Sequence, residues 1–225
     1  MRPNSFLMLR CQLFVVSCII SMMSGPSYRL TKRIIDVVGG VIGLVLFLIL
    51  YPFIGIAIKL GSRGPVLVKL DRVSSGVTIK LYKFRSMVED APARKAALTS
   101  LNERPDGPFF KIKNDPRLTK AGKIIRKFRL DEVPQFINVM KGELSLVGPR
   151  PHEPVEVAAY PSEFTFLSGE KSGITGLSQV SGASSLPFRK ELELDAYYVQ
   201  HRSAWLDLKI VVKTLAVLLF DPTAV

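Results

Sequence analysis

The sequence predicts a small, mainly helical α/β domain held at a membrane by an N-terminal helix. Three observations carry that expectation. Residues 37–58 form one uncharged, mostly apolar stretch, close to the length needed to cross the hydrocarbon core of a bilayer. Residues 66–84 hold two short β-branched runs around Ser74-Ser75-Gly76, the pattern of a hairpin. From residue 119 onward, apolar side chains recur at helical spacing between Gly- and Pro-rich loops.

Composition narrows the function classes. The chain has 225 residues, room for one domain with an ordinary core plus a membrane element, and not for a second catalytic domain. Thirty-one Lys and Arg against nineteen Asp and Glu leave a net charge of +12, which favours lipid headgroups, nucleotides or nucleic acid as partners. A hydrophobic content of 48% argues against a disordered basic tail and against an ordinary soluble nucleic-acid module. Both cysteines, Cys11 and Cys18, precede the apolar stretch, so neither a disulfide framework nor a cysteine metal cluster is expected. His152 and His201 are the only histidines, too few for an ordinary zinc site.

Taken in order, residues 1–27 hold an apolar run, 13–23, short for a bilayer and followed by Ser24-Gly25-Pro26-Ser27. It reads either as an unstructured or misassigned extension, with Met8, Met22 or Met23 as alternative starts, or as a cleaved signal-peptide core. The membrane segment is assigned to residues 28–62. Arg29, Lys32 and Arg33 precede its apolar stretch and Lys59 and Arg63 follow it, so the positive-inside rule gives no orientation. Pro52 cannot donate its backbone N–H, which predicts a helix broken or bent near Tyr51-Pro52. A re-entrant helix with both basic ends on one face and a kinked spanning helix both satisfy the pattern.

Residues 63–225 are expected to form the catalytic domain. After Gly64-Pro65 come strands over 66–70 and 77–84, a helix over 87–101, and a loop over 102–115 placed to cover a site. A helix then runs from Thr119 to about Phe128. A second is marked by Asp131 as N-cap, Pro134 in the first turn and Gly142 at the stop. Loops follow through Gly148-Pro149-Arg150-Pro151 and Gly173-Ile174-Thr175-Gly176, and a helical pattern covers 186–220. Its strongly apolar part, 205–220, suits either the plane of a membrane interface or packing on the core.

Chemistry concentrates at Asp131-Glu132. Neighbouring helical residues diverge by about 100°, so the two carboxylates suit two roles, one as nucleophile on phosphorus and one as ligand of a divalent cation. Arg126 and Arg150 would add positive potential for a phosphate and lower the carboxylate pKa. The plain structural explanation is that Asp131 caps a helix and Glu132 complements its dipole. Gly148-Pro149-Arg150-Pro151 holds an arginine in a tight turn, useful for gripping phosphate. Lys83 and Arg85 point to one face of a strand, either toward a ligand or as charges guarding an exposed edge. Gly173 and Gly176 could let the backbone approach a nucleotide, although no Rossmann or P-loop sequence is present. His152 and His201 read as structural or solvent-facing.

In order, Lys32-Arg33-Ile34-Ile35-Asp36, Pro52, Gly64-Pro65, Tyr82-Lys83-Phe84-Arg85-Ser86-Met87, Asp115-Pro116-Arg117-Leu118-Thr119, Leu130-Asp131-Glu132-Val133-Pro134-Gln135, Asn138-Val139-Met140-Lys141-Gly142, Ser145-Leu146-Val147-Gly148-Pro149-Arg150-Pro151 and Gly173-Ile174-Thr175-Gly176 closely resemble the bacterial sugar transferase family. These are the monotopic polyprenyl-phosphate phosphoglycosyl transferases. The resemblance runs from about Tyr28 to Phe220. It implies transfer of a sugar phosphate from a UDP-sugar to undecaprenyl phosphate at the cytoplasmic face of the bacterial inner membrane, with release of UMP, as the first step of a surface glycan. It assigns Asp131 as the nucleophile of a covalent phosphosugar intermediate and Glu132, with Asp131, as the Mg²⁺ site. Arg126 and Arg150 become phosphate ligands, with Lys83 and Arg85 as further contributors. The membrane helix becomes re-entrant, broken at Pro52. UDP-sugar, undecaprenyl phosphate and membrane lipid are then the partners, nucleic acid is not, and a homo-oligomer is compatible. Tyr51, Arg129 and Ser172 depart from residues usual in the family without touching the reacting groups. The competing reading is a membrane-anchored basic binding protein that performs no chemistry.

Overall fold

The structure, a computed structural model, describes residues 26–220 other than Pro105, Lys113, Ala183 and Ser184. The apolar run at 13–23 lies outside the described residues. Helix α1, Pro26–Gly61, leads into a hairpin of β1, Leu67–Ser74, and β2, Val77–Phe84. After it come α2, Ala91–Arg94, a 3-10 stretch Ala96–Leu101, α3, Lys120–Lys127, a second 3-10 stretch Leu130–Gln135, α4, Phe136–Lys141, and β3, Ser145–Val147. The chain continues through α5, Pro154–Ala158, 3-10 residues Ser162–Gly169, β4, Gly173–Thr175, α6, Leu177–Val180, α7, Phe188–His201, and α8, Ala204–Phe220. The domain is mainly helical with two small sheets, as the sequence predicts.

Helix α1 has two faces of different character. Asp36, Phe47, Ile54 and Ile58 are buried, whereas Ile34, Val38, Ile42, Leu48, Phe53 and Leu60 are exposed. The buried face packs along the domain: a Cβ on Gly43 would overlap the Phe136 ring, so the glycine lets α1 approach α4. Phe47, Ile54 and Ile58 form one core cluster with Phe84 and Ile125. Helical geometry continues through Pro52 to Gly61, which corrects the expectation of a helix broken there. Proline removes one donor, and here the flanking turns are held by packed Phe47 and Ile54.

The hairpin is antiparallel with Ser74 opposite Val77. Ser75 and Gly76 both have positive φ, 52° and 75°, the backbone that matches a two-residue loop to strand twist. Asn138 of α4 extends the outer edge of β2. Its Oδ1 accepts from Tyr82 N at 3.1 Å and its Nδ2 donates to Lys80 O at 2.9 Å. An amide side chain thus supplies the pairing that a third strand would give, and fixes the start of α4 beside Lys83.

Three expected elements differ. The helix over 87–101 is one turn, α2, followed by 3-10 turns with no buried residue; without an apolar face to bury, the longer helix has no packing to hold it. The helix from Thr119 is as expected, with Thr119 Oγ1 accepting from Gly122 N at 2.9 Å. The next begins differently. Arg129, at φ 52°, occupies the cap position of the 3-10 stretch Leu130–Gln135, and Asp131 makes no capping bond. Gly142, at φ 79°, ends α4 as predicted. The 186–220 pattern divides at Arg202 into α7 and α8.

The second core lies under the Gly148 turn, built from Val147, Phe164, Leu192, Tyr198, Val199 and Ile210. Strands β3 and β4 pair in parallel above it. Gly173 meets the Gly148 backbone so closely that a Cβ there would overlap it. The Gly173-Ile174-Thr175-Gly176 glycines therefore serve backbone packing in this fold. Helix α8 resolves both alternatives set for it: Asp207 and Ile210 are buried, while Trp205, Leu208, Val212 and Leu215 form an exposed apolar face.

Candidate active site

Five of the six candidate polar residues gather at one end of the hairpin, three of them in direct contact. Lys83, near the end of β2, places Nζ 2.8 Å from Glu132 Oε1 and 3.4 Å from Asp131 Oδ2. The neighbouring carboxylates thus share one cation unequally, as adjacent residues of a tight helical turn must. Asp131 is only 7% exposed. It accepts from Lys83 and does not cap a helix, so the capping role expected for this residue is not the one it plays.

Arg126, in the last turn of α3, donates from Nε to Ser86 Oγ at 2.9 Å, and its charge reaches Asp131. Arg150 acts in the same way on Glu132. Arg85 does not join them. Its guanidinium is buried and donates to the carbonyls of Arg63 and, at 2.9 Å, Ser62, where α1 ends. It satisfies helix-terminal acceptors that would otherwise be orphaned. Strand alternation put Lys83 and Arg85 on one face, but Arg85 lies past the end of β2, where that periodicity stops.

The two carboxylates are tuned in opposite directions. Burial raises the Asp131 carboxyl above the usual range, with Glu132 adding to it, and Lys83 and Arg126 only partly offset this. The expected lowering by fixed cations is therefore corrected for Asp131. For Glu132, burial is outweighed by Lys83, with Arg150 and Arg129, and its carboxyl lies below the usual range. One carboxylate is thus held as a firm anion beside another that needs a cation to stay ionised. Lys83 Nζ stands where oxygens of the two carboxylates converge. Among the described residues no cluster of three or more His, Cys, Asp or Glu is present. Asp131 and Glu132 are the two acidic oxygen donors this cluster offers to a divalent cation, whose remaining ligands would come from water and substrate phosphates.

Behind Arg150 stands a network that sequence reasoning missed. Glu191 and Asp195, one turn apart on α7, are each 1% exposed. Glu191 Oε1 lies 3.5 Å from Arg150 Nε and accepts from His152 Nε2 at 2.8 Å, and His152 Nδ1 bonds the Tyr160 hydroxyl. Asp195 Oδ2 accepts from Arg150 N at 2.9 Å. Burial pushes Asp195 up to about 6, whereas burial of Glu191 is outweighed by its His152 bond and by Arg150, leaving it low. The available signal was a pair of acids on the same helical face as Leu192, Ala196 and Val199. His152, expected to be structural or solvent-facing, is buried within this network.

The family model for bacterial sugar transferases matches residues 27–221. The chain is 41% identical over 200 residues to the galactosyl transferase CpsE of Streptococcus agalactiae serotype III, covering 88% of this chain and 44% of that protein. It is 37% identical to a UDP-N-acetylgalactosamine-undecaprenyl-phosphate N-acetylgalactosaminephosphotransferase of Aeromonas hydrophila, covering 88% and 46%. Identity to the exopolysaccharide production protein ExoY of Rhizobium meliloti is 35%, covering 84% and 86%. The chain therefore spans under half the length of the first two and most of the third. With the motifs brought together by the fold, the chain belongs to the bacterial sugar transferase family.

Proposed function

We propose that this protein transfers a sugar 1-phosphate from a UDP-sugar to undecaprenyl phosphate, releasing UMP and initiating a surface glycan. The observation that carries the reading is the convergence of adjacent Asp131 and Glu132 on one cation position, with Arg126 and Arg150 acting on the pair. The names of relatives from Aeromonas hydrophila and Salmonella typhimurium, the latter an undecaprenyl-phosphate galactose phosphotransferase, support the same chemistry.

In the first step a carboxylate oxygen of Asp131 attacks the sugar-bearing phosphorus. The bond from that phosphorus to the bridging oxygen breaks, and UMP leaves with the electron pair. In the second, a phosphate oxygen of undecaprenyl phosphate attacks the same phosphorus and the Asp131 carboxylate departs, leaving a lipid diphosphate sugar. Arg126 and Arg150 orient the phosphates, and Glu132 stays ionised throughout. Mg²⁺ held by Asp131 and Glu132 would neutralise diphosphate oxygens. Nucleophilic attack needs an anionic Asp131, so whatever cation binds there must overcome the burial that favours its proton.

The reading also places α1 in the cytoplasmic leaflet of the inner membrane, with the domain on the cytoplasmic face. It is supported by a helix of apolar length, Tyr28–Gly61, whose outward face is apolar while its inward face packs on the domain.

Two measurements test the chemistry. Incubation with each of a panel of UDP-sugars alone should add one phosphosugar to the intact mass of the wild type, and none to Asp131→Asn. With undecaprenyl phosphate added, the wild type should release UMP and the variant should lose at least a thousandfold of that rate, as for loss of a nucleophile. An adduct-free wild type that still turns over points to direct attack by the lipid phosphate. A protein releasing no UMP from any donor is a binding protein instead.

A further inference from the structure

A cavity of about 560 Å³ lies away from the carboxylate pair, where the first turns of α1 meet the segment after β3 and the end of α7. Its volume is that of an ordinary small-ligand site. Arg29, Lys32, Arg33, Lys171 and Arg202 line it, opposed only by Asp36 and Glu170. Neither acid is idle: Asp36 accepts from Ser145 Oγ and Leu146 N, both at 2.8 Å, and Glu170 accepts from Arg202 at 2.7 Å. Lys32 is likewise committed, to Asp207 and to Val147 O. Arg33 and Lys171 are different. Both are exposed, and neither side chain makes a hydrogen bond or ion pair within the described residues. The walls thus hold an excess of positive charge, with two cations at the rim uncommitted.

The surroundings identify the ligand class. Leu30 and Ile34 are exposed on α1 beside Arg29 and Arg33, and Trp205 and Leu208 are exposed on α8 just past Arg202. Lys209 stands over the Trp205 ring at 5.1 Å. A tryptophan with neighbouring cations, next to apolar side chains, is the composition of a membrane–water boundary. A free anion would use the cations and leave the apolar rims unemployed. A molecule with an anionic head and acyl tails uses both.

We infer that this cavity binds the phosphodiester headgroup of an anionic phospholipid, as a second lipid site separate from the carboxylate pair. The inference rests on the membrane-bound reading of α1 and α8 and not on the chemistry at Asp131. None of Lys83, Arg126, Asp131, Glu132 or Arg150 lines the cavity. Through Lys32, which donates to Val147 O at 2.7 Å, an occupied headgroup would bear on the strand that leads into the Gly148-Pro149-Arg150-Pro151 turn.

The test uses the full chain in a neutral detergent and follows its thermal midpoint during titration. The probes are short-chain phosphatidylglycerol, short-chain phosphatidylcholine and inorganic phosphate. Phosphatidylglycerol should raise the midpoint saturably, and Arg33→Gln/Lys171→Gln should raise its half-saturating concentration at least fivefold. Both residues are exposed, so the variant should unfold near the wild-type midpoint without lipid; Lys171→Gln alone, showing a smaller loss, is the second variant. Asp131→Asn should respond as the wild type does. Equal titrations of wild type and double variant would overturn the proposal, as would an equal shift from phosphatidylcholine or from inorganic phosphate. Loss of the response in Asp131→Asn would assign the lipid to the carboxylate site and overturn it too.

Discussion

Asp195 carries a cost that its position explains. Its carboxyl is buried under the Gly148 turn and receives Arg150 N, so it fixes the backbone of the residue proposed to grip phosphate. A carboxyl pushed from 3.8 to about 6 in the fold favours its protonated form relative to the unfolded chain. Its contribution is therefore fully favourable below about pH 4 and is lost as pH rises through 6, a change of about 3 kcal/mol at most. Asp195→Asn keeps an acceptor for Arg150 N and does not titrate. The midpoint of the variant minus that of the wild type should thus move in the variant's favour between pH 4 and pH 7. A difference that stays flat over this range would mean that Asp195 is not a buried charge. Legibility at this scale was uneven, for a physical reason. Asp131, Glu132 and Arg150 stand in local motifs whose chemistry can be read in place. Glu191 and Asp195 act across the fold, on a turn about forty residues away in sequence, and looked like ordinary acids on a helix. Arg85 misled because strand alternation holds only within the strand.

Among the elements, the hairpin and α4 do most to position the site, and Asn138 joins them. It is completely buried, and its amide meets Tyr82 N, Lys80 O and Glu143 Oε2. Replacing it by Ala strands Tyr82 N and Lys80 O on an otherwise unpaired strand edge, at roughly 2–4 kcal/mol for two buried groups and the space left. Asn138→Ala should lower the thermal midpoint by several degrees. Activity should fall further than stability accounts for, because Lys83 and the Asp131-Glu132 pair are held together across this junction. Assaying transfer at a temperature where the variant remains folded separates the two effects; wild-type rates there would mean that the hairpin and α4 align without it. The hairpin was readable from Ser75-Gly76 and its flanking β-branched runs, and α3 from Thr119, because turn and cap chemistry is local. The 3-10 stretch at Leu130–Gln135 was not. It begins at Arg129 with a positive φ, a conformation that an arginine adopts only where packing on both sides requires it.

At the scale of the whole molecule, the packing of α1 bears on the topology proposed for it. The domain touches this helix from end to end: Lys32 meets Asp207, Asp36 meets Ser145, Gly43 meets Phe136, and Arg85 closes on the carbonyls of Ser62 and Arg63. Were α1 to cross the bilayer upright, these polar partners would be drawn into hydrocarbon with it, at several kcal/mol for each group left unsatisfied. Both basic flanks, Arg29 to Arg33 and Lys59 to Arg63, would also have to lie on opposite faces. A helix whose apolar side dips into one leaflet while the domain stays in water avoids both costs, and the exposed faces of α1 and α8 supply the apolar area for it. The consequence is measurable. In a Cys11→Ser/Cys18→Ser background, Thr31→Cys and Lys59→Cys, both at exposed positions, should react with a membrane-impermeant maleimide in inverted vesicles and remain unlabelled in right-side-out ones. Labelling of the two positions from opposite sides would make α1 a spanning helix. The packing described above would then have to come apart in the membrane.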